Sequence, residues 1–146
     1  SNFARPGQRS VHNGRYWANE AYYGFGVGAA RYVGGVRELN TRDTKGYVRR
    51  VLAGESPTFQ SERLGPADRA FETVGTQLRR ADGIGRERFR EQTGFGLGDL
   101  LGDRLRGLVA EGLLSDSGVS VSLTRRGKCL ADGVIEELMK ANGDCL

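Results

Sequence analysis

The feature that most constrains the fold of this chain is a change of apolar rhythm along its second half. Pro66 opens a stretch in which Ala67, Ala70, Phe71, Val74 and Leu78 recur at helical spacing. A short helix is predicted over about 86–93, bracketed by Gly85 and Gly94. A third, over about 99–111, carries Leu101, Leu105, Leu108 and Val109 inward and stops at Gly112. The rhythm then shortens to two. Leu113-Leu114, a turn at Asp116-Ser117-Gly118 and Val119-Ser120-Val121-Ser122-Leu123 predict a β-hairpin. Thr124 is placed to cap a closing helix with Leu130, Val134, Ile135 and Leu138. Three helices, a hairpin and a last helix make a winged-helix-type pattern, which by itself assigns no function.

The front of the chain follows another rule. Residues 1–40 are rich in glycine and aromatics and carry no sustained helical period. Tyr22-Tyr23-Gly24-Phe25-Gly26-Val27-Gly28-Ala29-Ala30 reads as a strand running into a glycine turn. From Thr41 or Asp43 a helix is expected with Tyr47, Val48, Val51 and Leu52 on one face and Gly54 as its stop. Residues 55–65, with Pro57 and Gly65 before Pro66, read as an extended linker at a domain boundary. The expected division is therefore 1–40, a connecting helix and linker at 41–65, and a C-terminal domain at 66–146.

Composition narrows the class. Hydrophobic residues at 38% and charged residues at 27% suit a globular chain. No apolar run approaches the roughly 20 residues a bilayer span needs, and no charged-then-apolar leader opens the sequence. Two cysteines, Cys129 and Cys145, are too few for a disulfide scaffold and lack metal-ligand spacing. Cys129 is expected to pack on the last helix and Cys145 to lie in the tail. A reducing, cytoplasmic setting follows. The first residue is Ser1, not methionine, which fits a processed chain or a piece of a longer one. Net charge is +4, and the excess sits in front: residues 1–61 hold nine Lys/Arg against four acids. The predicted helix over 99–111 carries Asp99, Asp103 and Glu111 against Arg104 and Arg106. A duplex-reading helix should be basic, so a winged-helix DNA-binding domain is the lesser alternative and nucleic acid is not the expected partner.

The chemistry-bearing residues are few. His12 is the single histidine, in His12-Asn13-Gly14-Arg15-Tyr16-Trp17, beside the single tryptophan. Such a histidine is either a hydrogen-bonded structural residue or a metal or haem-iron ligand whose neighbouring aromatics pack on a macrocycle. The run Gly24-x-Gly26-x-Gly28 allows close backbone approach, but Ala29 stands where a dinucleotide fingerprint needs glycine. No P-loop, zinc cluster or nucleophile elbow is present in the sequence.

Taken together, Ser1-Asn2-Phe3-Ala4-Arg5-Pro6-Gly7, His12-Asn13-x-x-Tyr16-Trp17 and Tyr23-Gly24-Phe25-Gly26-x-Gly28-Ala29 resemble the oxygen-independent coproporphyrinogen III oxidase-like radical-SAM proteins. Arg37-x-x-Asn40 and Leu123-Thr124-x-x-Gly127-x-x-x-x-Asp132 continue the likeness over about residues 1–140, and HN-x-x-YW points to the HemW branch. The resemblance implies an α+β fold: the last segment of a radical-SAM partial (β/α) barrel, then a winged-helix-type C-terminal domain. It implies a parent that binds haem and delivers it to haem-receiving proteins, including a membrane-associated acceptor. That parent would hold a [4Fe-4S] cluster on a C-x-x-x-C-x-x-C triplet, with S-adenosylmethionine beside it. Under it, His12 ligates haem iron, Asn13, Tyr16 and Trp17 complete the haem element, and Arg15 is suited to a propionate. Gly26, Ala29 and Ala30 border S-adenosylmethionine. The alternative within the family is a coproporphyrinogen III oxidase of porphyrin biosynthesis. Two departures stand out: the cysteine triplet is absent, and Ala30-Arg31 occupies the place of the family's usual His-Ser. The chain alone is therefore expected to catalyse no radical reaction, and to expose apolar surface where the N-terminal barrel would pack.

Overall fold

The computed structural model describes residues 4, 5 and 7–140. Within them the chain divides between Gly65 and Pro66 into two units.

The first unit begins with α1 (Val11–Trp17), capped by the Ser10 hydroxyl, which accepts from the Asn13 N–H. Strands β1 (Ala30–Val33) and β2 (Val36–Asn40) form an antiparallel hairpin. Its two-residue turn, Gly34-Gly35, has φ of +61° and +77°, the conformation whose twist matches paired strands. Helix α2 (Thr44–Leu52) starts at Asp43, whose carboxylate accepts from the N–H groups of Lys45 and Gly46.

Residues 58–63, expected as linker, form β3 (Thr58–Arg63), which pairs antiparallel with β2 and completes the order β1-β2-β3. The apolar alternation that signals a strand is missing because β3 is exposed over most of its length, Phe59 included. Its approach is set by Arg50, which donates to the carbonyls of Ser56 and Thr58, each at 3.4 Å. Residues 22–29 also depart from expectation. Tyr22 makes an isolated bridge to Tyr32, and the chain then turns at Gly26 and Gly28 (φ +109° and +66°) before β1 begins at Ala30. Glycines at 24, 26 and 28 supply neither the stiffness nor the side-chain packing of a strand.

The second unit carries the core. Helix α3 (Pro66–Gln77) buries Ala70, Phe71 and Val74, although Ala67 faces solvent. Strand β4 (Ile84–Gly85) leads into α4 (Arg86–Thr93), whose Phe89 is fully buried. Helix α5 (Leu97–Ala110) starts two residues earlier than expected and breaks its φ/ψ at Gly102, while Leu101, Leu105 and Leu108 still point inward. Strands β5 (Leu114–Asp116) and β6 (Ser120–Leu123) form the hairpin, and β4 adds to it in the order β4-β6-β5.

The closing helix is interrupted. Thr124 caps α6 (Arg125–Cys129), the chain leaves helical geometry at Leu130, and α7 (Ala131–Met139) resumes with Val134, Ile135 and Leu138 buried. The offset turns Leu130 outward, 53% exposed, and leaves Cys129 on the surface instead of in the core. Cys145 lies outside the described residues. Among the described residues no helix is long and apolar enough to cross a membrane.

One contact ties hairpin to helix. A Cβ on Gly127 would stand 2.0 Å from the Leu113 carbonyl oxygen, and that carbonyl accepts from the Thr124 N–H at 3.0 Å. Gly127→Ala is expected to destabilise the second unit by about 2 kcal/mol, roughly 10 °C in the melting temperature, read by calorimetry. An unchanged melt would show that the junction yields. A second expectation concerns Arg86 and Asp116, paired at 2.5 Å. The guanidinium, helped by the Gly118 N–H, holds the Asp116 carboxyl below the usual carboxylate range. Its stabilisation is therefore complete above the unfolded carboxyl's value of about 3.9 and lost as pH falls through the lower folded value. Asp116→Asn should cost about 1 kcal/mol at pH 7, and its deficit against wild type should shrink as pH falls through that lowered folded value.

Candidate functional site

The residues singled out in the sequence fall on two structures of the first unit. His12, Asn13, Tyr16 and Trp17 lie on α1, and Gly26, Ala29 and Ala30 on the glycine loop and the start of β1.

Helix α1 was not legible as a helix, because no residue of its seven is buried and an apolar stripe never develops. Its one local signal is Ser10 three residues before Asn13. Once helical, the segment places His12 and Tyr16 four residues apart on one face, with Arg15 on the neighbouring row. His12 is exposed, and among the described residues its imidazole has no hydrogen bond or ion pair. Tyr16 is 48% exposed and Trp17 half-buried. Both imidazole nitrogens are thus open to a metal or a donor group, beside an aromatic face and a guanidinium. That set suits a planar, metal-bearing, carboxylated macrocycle.

The glycine loop is held by hydrogen bonds without regular structure. The Gly26 N–H donates to Tyr47 Oη at 3.1 Å, and the Gly26 carbonyl accepts from Asn40 Nδ2 at 2.9 Å. The Gly28 N–H donates to the Thr41 carbonyl and the Asn40 N–H to the Ala29 carbonyl, both at 2.9 Å. Gly24 admits no side chain, since a Cβ there would lie 1.9 Å from the Ala30 carbonyl oxygen. At Gly26 the same position is open space. Asn40, 7% exposed, and Tyr47 are the functional candidates that sequence reasoning missed: Asn40 stood only within a family pattern, and Tyr47 was read as apolar helix face. Tyr47 instead reaches the loop, while Val48, Val51 and Leu52 of α2 are exposed.

At Arg31, the residue that departs from the family's pattern, the side chain pairs with Glu38 across the hairpin. The pair raises the guanidinium's pKa and lowers that of the Glu38 carboxyl, through the hydrogen bond between them. Among the described residues no three His, Cys, Asp or Glu side chains are grouped to hold a metal ion. In the second unit, Arg104 donates to the Glu137 carbonyl and Arg106 pairs with Asp103.

Comparison with known proteins gives these positions a context. The family described as the HemN C-terminal domain matches residues 64–130. The chain is 36% identical to the haem chaperone HemW of Bacillus subtilis, over 92% of its own length and 35% of the relative's. It is 30% identical to HemW of Lactococcus lactis over 95% of its length, and 34% identical to HemW of Mycobacterium tuberculosis over 95%. The chain therefore spans about a third of the length of these relatives. Its fold is similar to part of the Escherichia coli coproporphyrinogen III oxidase HemN, a radical SAM enzyme, with a TM-score of 0.66 and 18% identity over 93% of this chain and 35% of that one.

If the two side chains hold the glycine loop as described, Tyr47→Phe and Asn40→Ala should each speed amide hydrogen exchange at Gly26 and Gly28 by about ten-fold or more. Exchange at buried positions of α3 should stay unchanged. Unaltered loop exchange in both variants would show that the loop holds itself.

Proposed function

The chain belongs to the HemW-like proteins, matching their C-terminal part, and from that premise we propose that it is the portion of such a protein that holds haem for delivery to haem-requiring acceptors. The observation that carries the reading is the surface of α1: an exposed His12 whose imidazole has no hydrogen bond among the described residues and an exposed Tyr16 on one helical face, with Arg15 beside them. In this reading His12 supplies a nitrogen to the iron, the Tyr16 ring packs on the porphyrin and Arg15 pairs with a propionate carboxylate. Asn13, whose N–H is spent on the Ser10 cap, keeps the first turn in register. Haem is cargo here and leaves to its acceptor, which can be a membrane-associated protein met at the surface.

The remaining assignments follow the same premise. Residues 1–40 would be the end of a radical-SAM barrel, 41–65 its connection, and 66–146 a winged-helix-type C-terminal domain. The order of three helices, hairpin and closing helical pair in the second unit supports the last of these. Gly26, Ala29 and Ala30 would border S-adenosylmethionine, a placement supported by the hydrogen-bonded backbone and the open space at Gly26. The chain's own cysteines, Cys129 and Cys145, do not fit a [4Fe-4S] triplet, so cluster chemistry would belong to the remaining two thirds of a HemW-like polypeptide in the cytoplasm. An oxidase acting on coproporphyrinogen is the second reading, favoured only by the structural likeness to HemN.

The test is a hemin titration of the chain and of His12→Ala. The wild type is expected to bind one equivalent with a Soret band typical of imidazole-ligated haem. The variant should weaken binding about ten-fold or more and lose that band position. Identical titrations and spectra for the two proteins would remove His12 from the iron.

A further inference from the structure

Helix α1 is too short to persist unaided: seven residues lie below the length at which an isolated helix is stable in water. Its C-terminal end is anchored where Ala18 and Asn19 are buried, 3% and 8% exposed. The turns that carry His12 and Tyr16 have no buried residue of their own. What reaches them is a chain of rings. Tyr16 lies 5.7 Å from Tyr22, tilted at 56°, and Tyr22 lies 6.5 Å from Tyr32, which is buried at 5% exposure in β1. Trp17 and Tyr16 are T-shaped, their centroids 5.4 Å apart and their planes at 79°. The Tyr22 main chain is fixed independently of its ring, donating to and accepting from the main chain of Tyr32 at 2.9 Å in both directions.

We propose that Tyr22 is the positioning residue of the haem site, seating α1 against the sheet so that Tyr16, and not Trp17, is the ring that meets the porphyrin. The proposal rests on the haem reading of α1. Tyr16 shares the His12 face, whereas Trp17 is a further 100° round the helix, is half-buried and lies in a T-shaped contact with Tyr16. Tyr22 supports Tyr16 from within the unit, so the exposed part of Tyr16 is the part left for a planar ligand. A ligand on an unsupported turn would have to order that turn on binding, at a cost in affinity. Tyr22 itself touches no haem in this arrangement and acts through Tyr16.

The single tryptophan of the chain lies inside this helix, so its emission reports the seating of α1 directly. The experiment titrates the 146-residue chain with hemin in four variants: Tyr22→Leu, Tyr22→Phe, Tyr16→Ala and Trp17→Phe. Tyr22→Leu keeps the main-chain pairing and removes the aromatic contact. It is expected to raise the hemin dissociation constant about ten-fold and to move the ligand-free Trp17 emission to longer wavelength. Tyr22→Phe should restore both. Tyr16→Ala should weaken binding at least as much as Tyr22→Leu, and Trp17→Phe should leave it within about three-fold. Wild-type affinity and emission in Tyr22→Leu, or a larger loss in Trp17→Phe than in Tyr16→Ala, would overturn the proposal. If His12→Ala alone weakens hemin, the haem reading stands and the positioning role falls. If neither His12→Ala nor Tyr16→Ala changes binding, the haem reading itself falls. Should Tyr22→Leu fail to fold by circular dichroism, the order of Tyr16→Ala and Trp17→Phe decides.

Discussion

The reciprocal main-chain hydrogen bonds between Tyr22 and Tyr32 decide how the first unit is assembled. They bring the chain that leaves α1 back against β1, and the residues between must then turn within a short loop. Gly24, Gly26 and Gly28 make that turn possible, and Asn40, Thr41 and Tyr47 take up its backbone polar groups. The same pairing delivers the Tyr22 ring to Tyr16 on one side and Tyr32 on the other. Loop and helix thus share one fastening. Without it α1 would lack its ring support, and the glycine segment would lose its return path.

The second unit depends on something different. Phe89, Leu78, Val74, Ile84, Leu114 and Leu138 are each nearly or wholly removed from water, in a cluster drawn from helices and hairpin alike. Buried Gln77 does not break this core because its amide donates to the Gln92 side-chain oxygen at 2.8 Å. The first unit has few comparable residues, Tyr32 and Ala18 among them, and exposes Phe25, Leu52 and Phe59. Apolar surface of this kind commonly marks a contact with further polypeptide, and the chain spans only 35% of the Bacillus subtilis HemW it resembles.

Much of the second unit was legible because burial writes itself into sequence as a period. Phe71, Val74 and Leu78 mark α3, and Leu113 through Leu123 mark the hairpin, with boundaries close to those observed. The interruption at Leu130 was not legible, since the helical period of Val134, Ile135 and Leu138 can be extended backward without a breaker residue. The first unit hid more. Strand β3 has no alternation because water lies on both its faces, and β1–β2 was marked only by Gly34-Gly35, a signal lost among so many glycines. His12, Tyr16 and Trp17 could be singled out by type and by resemblance. The helix they share is marked locally only by the Ser10 cap, and the ring contacts of Tyr22 with Tyr16 and with Tyr32 follow no periodic pattern in the sequence.

In the proposed function, α1 presents His12 to a metal-bearing porphyrin. Because the chain has one histidine, proton NMR of its imidazole during addition of diamagnetic zinc protoporphyrin tests this most directly. A ring nitrogen bound over the macrocycle places the imidazole protons in the porphyrin ring current. A large upfield shift of both carbon-bound ring protons, complete at one equivalent, is expected. Imidazole resonances that stay in place while the porphyrin binds would contradict it.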